Sequence, residues 1–137
     1  MSQITVSTVV NAPVAHAWEV FTNPEQITQW NFASDDWCCP SARNDLREGG
    51  SFSYLCAAKD GSMSFDYAGV YTAVRPLEQI AYTLGDGRRV TVMLEPISSA
   101  ETRVTEIFDL ENINSEELQH AGWSAVLAQY KQRAETI

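Results

Sequence analysis

The chain has 137 residues, 45% of them hydrophobic. That suits one globular domain over residues 1–137, with a core large enough to need no disulfide staples. Its formal net charge is −9. Nucleic acid and anionic membrane both demand a basic face, so neither is expected as a partner, and the acidity serves solubility on the more general reading.

No basic stretch followed by an apolar core opens the sequence, and no run approaches the roughly 18 apolar residues of a membrane span. Neither a signal peptide nor a transmembrane helix is therefore expected. Cys38, Cys39 and Cys56 form an odd set without a C-x-x-C pair. A reduced, cytoplasmic protein follows as the expectation.

In chain order, "QITVSTVV" (3–10) is β-branched and predicts a strand. Pro13 then suits a first helical turn, and Val14, Ala17 and Phe21 recur at helical spacing. Asn23-Pro24 ends that helix, and a second short turn is predicted over Glu25 to Gln29. "TQWNFASDDWCCPSARNDLREGG" (28–50) has no clean period. It reads as an ordered, aromatic loop with one short strand near Trp37.

From Ser51 the pattern alternates. "SFSYLCAA" sets Phe52 and Tyr54 on one face, and Asp60-Gly61 signals a hairpin. "SFDYAGVYTAV" follows, with Gly69 at a bulge or bend, and Pro76 ends it. Ile80, Tyr82 and Leu84 share a face, Asp86-Gly87 signals another hairpin, and Val90, Val92 and Leu94 point inward. Val104, Glu106, Phe108 and Leu110 share the face of a last strand. Six or seven antiparallel strands result.

A helix of about 20 residues then begins after Asn114 or Ser115, where a cap and an acid at the third helical position would form a capping box. At about 100° per residue, Val126, Tyr130 and Ile137 form its apolar stripe. Gly122 and Trp123 flank that stripe, and His120 lies at the far edge beside Leu127. A mid-helix glycine admits close approach of the sheet, an aromatic ring or a bound molecule. A lone amphipathic helix after a run of strands predicts an α+β fold in which a curved sheet packs on that helix.

Catalytic signatures are missing: there is no G-x-S-x-G, phosphate loop, dinucleotide fingerprint or H-E-x-x-H. No metal site and no cofactor are expected, because the cysteines lack partner histidines at ligand spacing. His16 reads as solvated. Two features stand out. Aromatic residues are dense, as in a core or in a small-molecule pocket. Glu106 shares the alternation of Val104 and Phe108, so it points inward as a buried carboxyl unless a bulge turns it out.

"NAPVAHAWEVFTNPEQITQW", "YAGVYTAVRPLEQIAYTL" and "TRVTEIFDLE…QHAGWSAVLAQYKQ" resemble the opening segment, central strands and final strand and helix of the START-like (SRPBCC) superfamily. The resemblance is to the branch named after the activator of the heat-shock-chaperone ATPase, which includes polyketide-cyclase-like members. "WNFASDDWCCPSARNDLREGG" resembles its small bacterial stand-alone members. The resemblance implies a helix-grip fold: a curved antiparallel sheet wrapped around the long C-terminal helix, with a cavity between them. It implies Trp30, Trp37, Phe52, Tyr54, Phe108, Trp123 and Leu127 as cavity lining. Tyr82, Glu106 and Gly122 join them as candidate ligand-binding residues from the pattern.

Three functions follow as expectations. The first is binding of a small hydrophobic ligand by a monomer or homodimer. The second is a cyclase or lyase using Glu106, His120 and one of Asp35 or Asp36. The third is a protein-interaction module with a chaperone as possible partner.

Overall fold

A computed structural model describes residues 2–137. Its elements are β1 (Gln3–Val10), α1 (Val14–Thr22), α2 (Pro24–Ile27), β2 (Trp37–Asn44), β3 (Ser51–Ala58), β4 (Ser64–Arg75), β5 (Gln79–Leu84), β6 (Arg89–Ser98), β7 (Glu101–Asp109) and α3 (Glu116–Thr136). The seven strands form one antiparallel sheet in the order β1-β7-β6-β5-β4-β3-β2, curled into a half-barrel around α3. No helix among the described residues is long and apolar enough to cross a membrane.

Alternation governs the centre of the sheet. Ile80, Tyr82 and Leu84 on β5, Val90, Val92 and Leu94 on β6, and Val104, Glu106 and Phe108 on β7 are all buried on the concave face. Gly69 sits in regular register between Phe52 and Leu84, not at a bulge. A side chain there would meet the Thr83 carbonyl at 2.5 Å and the Phe52 ring at 3.0 Å. The glycine lets the ring lie across the strand. The register shift of β4 falls two residues later, between Tyr71 and Ala73.

Two expectations are corrected at the edges. The segment after α2 holds a full eight-residue edge strand, β2, where a loop with one short strand was expected. Its pairing with β3 shifts between Cys38 and Ser41, around Pro40, which donates no ladder hydrogen bond. At the start of α3, Ser115 caps by accepting from the Leu118 amide at 3.1 Å. Leu118 is thus the third helical residue, so there is no capping box. Glu116 and Glu117 occupy the first turn, where they favour the positive end of the helix dipole.

The face of α3 also differs from the projection. Gln119, Leu127, Tyr130 and Ala134 are buried, whereas Leu118 and Ile137 are exposed. Gln119 is inside because its amide ties down the preceding loop. It accepts from the Glu111 amide at 3.0 Å and donates to the Asn114 carbonyl at 2.8 Å. His16 is not free in solvent either: its Nε2 lies 2.8 Å from the Ala134 carbonyl, at the end of α3.

Three rings hold α3 to the first helices. Phe21, Trp30 and Tyr130 meet pairwise with centroids 5.0 to 5.2 Å apart. The Tyr130 hydroxyl donates to the Ala17 carbonyl at 2.7 Å, and the Trp30 indole donates to the Val20 carbonyl at 2.9 Å. The two edge-to-face pairs of Tyr130 add about 0.5–1.5 kcal/mol each beyond burial. Tyr130→Phe is therefore expected to cost about 1 kcal/mol, and Tyr130→Ala about 3–5 kcal/mol, measured by urea denaturation. Equal losses from the two variants would put the stabilisation in the hydroxyl and not in the ring.

Candidate functional site

α3 runs closest to β1 and α1 and makes no comparably close approach to β3, β4 or β5. Large side chains span the remaining gap and leave a cavity of about 120 Å³. Helix-side walls are Phe21, Trp30, Trp123 and Val126. Sheet-side walls are Tyr54, Phe65, Tyr67, Tyr71, Ile80 and Tyr82, with Glu106 among them. Thr22, Asn31 and Cys56 complete the lining.

Glu106 is the only carboxylate in that lining. β7 delivers it by strict alternation: it pairs with Val6 on one side and Val92 on the other, flanked along the strand by Val104 and Phe108. It is 7% exposed. Burial alone pushes its carboxyl up to about 8, with no hydrogen bond or opposite charge to offset the loss of water. No lysine, arginine or histidine lines the cavity.

The tyrosines form a connected wall. The Tyr67 and Tyr82 hydroxyls are 2.9 Å apart and share one hydrogen bond. Of their two protons, one is left free to donate elsewhere. Burial, the Tyr67 hydroxyl and the Glu106 carboxyl, in that order, raise Tyr82. Burial and then Glu106 raise Tyr130. All these phenols stay protonated at neutral pH. Burial also pushes the Cys56 thiol up to about 12, which keeps it a thiol and not a nucleophilic thiolate.

The other candidate residues fall in three places. Trp30, Tyr54, Tyr82, Glu106 and Trp123 come together around the cavity. Phe52, Phe108 and Leu127 lie behind it: Phe52 meets Tyr82 edge-on at 4.8 Å, Phe108 stacks on Trp123 at 3.8 Å and 11°, and Leu127 is buried in the core. Trp37 touches only the rim, through Phe65 at 5.9 Å.

The remaining acid–base candidates are elsewhere. His120 is exposed, on a surface groove with Gln3, Ile4, Thr5, Glu116 and Glu117. One residue after the buried Gln119, it turns away from the sheet. Asp35 and Asp36 are also exposed. Neither histidine nor aspartate thus joins Glu106 in the cavity. The three cysteines are free, and among the described residues no group of three His, Cys, Asp or Glu side chains is placed to hold a metal ion.

Tyr67, Tyr71, Phe65, Asn31 and Cys56 were not singled out as site residues. The signal for three of them was present: 65, 67 and 71 lie on one face of β4, together with the position of Gly69. Nothing in the local pattern marks Asn31 or Cys56.

Residues 11–135 match the family described as "Activator of Hsp90 ATPase homolog 1-like protein". The chain belongs to this family. An AHSA1-like protein of Aeromonas hydrophila, solved by solution NMR, is 34% identical, with 98% of this chain and 92% of that one covered and a TM-score of 0.91. A solution structure from Cytophaga hutchinsonii is 43% identical over 97% and 92% of the two chains, with a TM-score of 0.84. A crystal structure from Chromobacterium violaceum, 21% identical over the whole of both chains with a TM-score of 0.88, shares the fold. No curated protein matches the sequence.

Within this AHSA1-like chain two substitutions isolate the cavity features. A Cβ added at Gly122 would meet no atom within 4 Å, so neither the sheet nor a ring presses on the helix there. Gly122→Ala is expected to stabilise by about 1 kcal/mol through helix propensity. Scanning calorimetry should then show Tm rising by roughly 2–5 °C; a fall would mean that the position is packed.

Glu106 couples stability to pH. Its folded pKa lies above its unfolded value of 4.5, so the folded state holds the extra proton between the two. Stability from this group falls as pH rises from about 4.5 to about 8 and is level above that. Relative to wild type, Glu106→Gln should gain on the order of 3–5 kcal/mol across that window. Denaturation curves at several pH values check this, and parallel pH profiles for the two proteins would contradict it.

Proposed function

We propose that the chain binds a small, ring-sized organic molecule in the cavity beneath α3, with Glu106 as its polar anchor. The observation that carries this reading is the Glu106 carboxyl, which makes no hydrogen bond to the chain and whose oxygens stay open to the cavity among aromatic walls. A carboxyl that faces a cavity and makes no bond to the chain is free to take a partner there. Membership of a family whose fold commonly binds hydrophobic ligands supports the same reading. Size narrows it: a dry apolar cavity of about 150 Å³ accepts benzene, and this one is about 120 Å³.

Binding without turnover is favoured over a cyclase or lyase. Proton transfer through a reaction needs an acid and a base near one substrate. Glu106 has the raised pKa of a general acid, but His120, Asp35 and Asp36 are on the surface. The family name points to a chaperone ATPase as partner of the protein it was coined for. Here the exposed large apolar side chains come from the β3–β4 turn, β4, the β4–β5 turn, the end of β6, the loop before α3 and both ends of α3.

Titration with a panel of neutral and charged compounds of six to eight heavy atoms tests the proposal. Trp30 and Trp123 line the cavity, so a bound molecule should change tryptophan emission in a saturable way. It should also raise stability by about 2.7 kcal/mol at a hundredfold excess over Kd. A panel that leaves both emission and Tm unchanged would defeat the reading.

A further inference from the structure

Deepening the proposed binding function, on which this step rests, we propose that the cavity is built for a small organic cation, a protonated amine, held between the Glu106 carboxylate and the tyrosine and tryptophan rings. Three observations converge on that charge. Glu106 is more than nine-tenths buried, faces the cavity and has no partner within the chain. No lysine, arginine or histidine lines the space, so the only counter-ion the carboxylate could find there is one that a ligand brings. The walls are Phe21, Trp30, Tyr54, Tyr67, Tyr82 and Trp123, whose ring faces carry the negative end of the aromatic quadrupole and attract a cation within about 6 Å.

An ammonium also matches the polar groups one by one. It brings up to three N–H donors and no acceptor. The carboxylate accepts, and so do the oxygens of the Tyr67–Tyr82 pair and the Asn31 amide that line the same space. A neutral carbonyl ligand would use the free tyrosine proton, the Asn31 amide N–H or a protonated Glu106, and would leave the carboxylate form without a partner. A carboxylate or phosphate ligand would meet Glu106 and the ring faces with like charge. At long range the net charge of −9 favours approach of a cation.

At neutral pH the empty site holds Glu106 protonated, and entry of the ammonium expels that proton to water. Affinity then rises with pH until Glu106 is ionised in the free protein, at about 8. The groups facing it do not interfere in that range. Tyr67 on β4, Tyr82 on β5 and Tyr130 on α3 are all raised, and the Cys56 thiol on β3 stays neutral. The β1 and β6 neighbours are Val6 and Val92, and α1 and the segment after α2 present Phe21 and Trp30. Arg88, whose charge reaches Tyr67, is engaged by Asp86 at 2.7 Å.

Cyclopentylamine and cyclopentanol, nearly equal in shape, separate the possibilities by tryptophan emission and calorimetry. At about pH 8.5 the amine should bind at least about tenfold more tightly than the alcohol. Between about pH 6 and pH 8 its affinity should rise on the order of a hundredfold while that of the alcohol stays flat. Glu106→Gln should abolish both the preference and the pH slope, with Tm reporting that the variant folds. Equal binding of the two compounds, or an amine affinity indifferent to pH in wild type, overturns the cation assignment and leaves the binding function standing. Binding of neither, together with a silent neutral panel, overturns both.

Discussion

One helix cannot fill the space that a seven-stranded sheet encloses when it curls around it. That mismatch sets the rest of this structure. α3 settles against β1 and α1. Over β3, β4 and β5 the gap is too wide for aliphatic residues, and long aromatic side chains cross it. Trp123 reaches Tyr67 edge-to-face at 6.4 Å, while Tyr54, Tyr71 and Tyr82 gather around Phe52. Rings do not tile such a space completely, and the residual volume is the cavity.

Glu106 shows what the fold gives up to make that volume chemically specific. A leucine or methionine between Val104 and Phe108 would complete the inner face of β7 and gain apolar burial. A carboxyl in its place loses hydration and finds no counter-ion, and it resolves the conflict by holding its proton. Sequence, packing and polar satisfaction agree along nearly all of the sheet. They disagree at this residue, which is where a functional group is to be sought.

How far the sequence discloses this depends on which force acts at each element. β5, β6 and β7 were legible because one face is core and the other is not, so period 2 is written plainly, and Asp60-Gly61 and Asp86-Gly87 mark the turns between strands. β2 was not, because an edge strand carrying Pro40 and a bulge has little alternation to read. The face of α3 misled at its ends. Ile137, read as part of the apolar stripe, is exposed, and Gln119 is buried to hold a loop, a role that periodicity cannot express. His120 followed that misplacement. Gly122, read as a place where the sheet, a ring or a bound molecule comes close, has open space where a side chain would project. The direction of Glu106 came from alternation alone. The tyrosine wall on β4 needed the curvature of the sheet, which no local pattern carries.

The account rests on Glu106 being a solitary carboxyl in a cavity, and its own titration tests that most directly. Side-chain carboxyl carbon NMR of selectively labelled protein, followed from acid to mildly alkaline pH in the absence of any added molecule, reads it without reference to stability or binding. The account predicts a midpoint at about 8 for this one glutamate. A midpoint at the ordinary glutamate value of about 4.3 would mean that water or a charged partner already satisfies the carboxyl, and would contradict it.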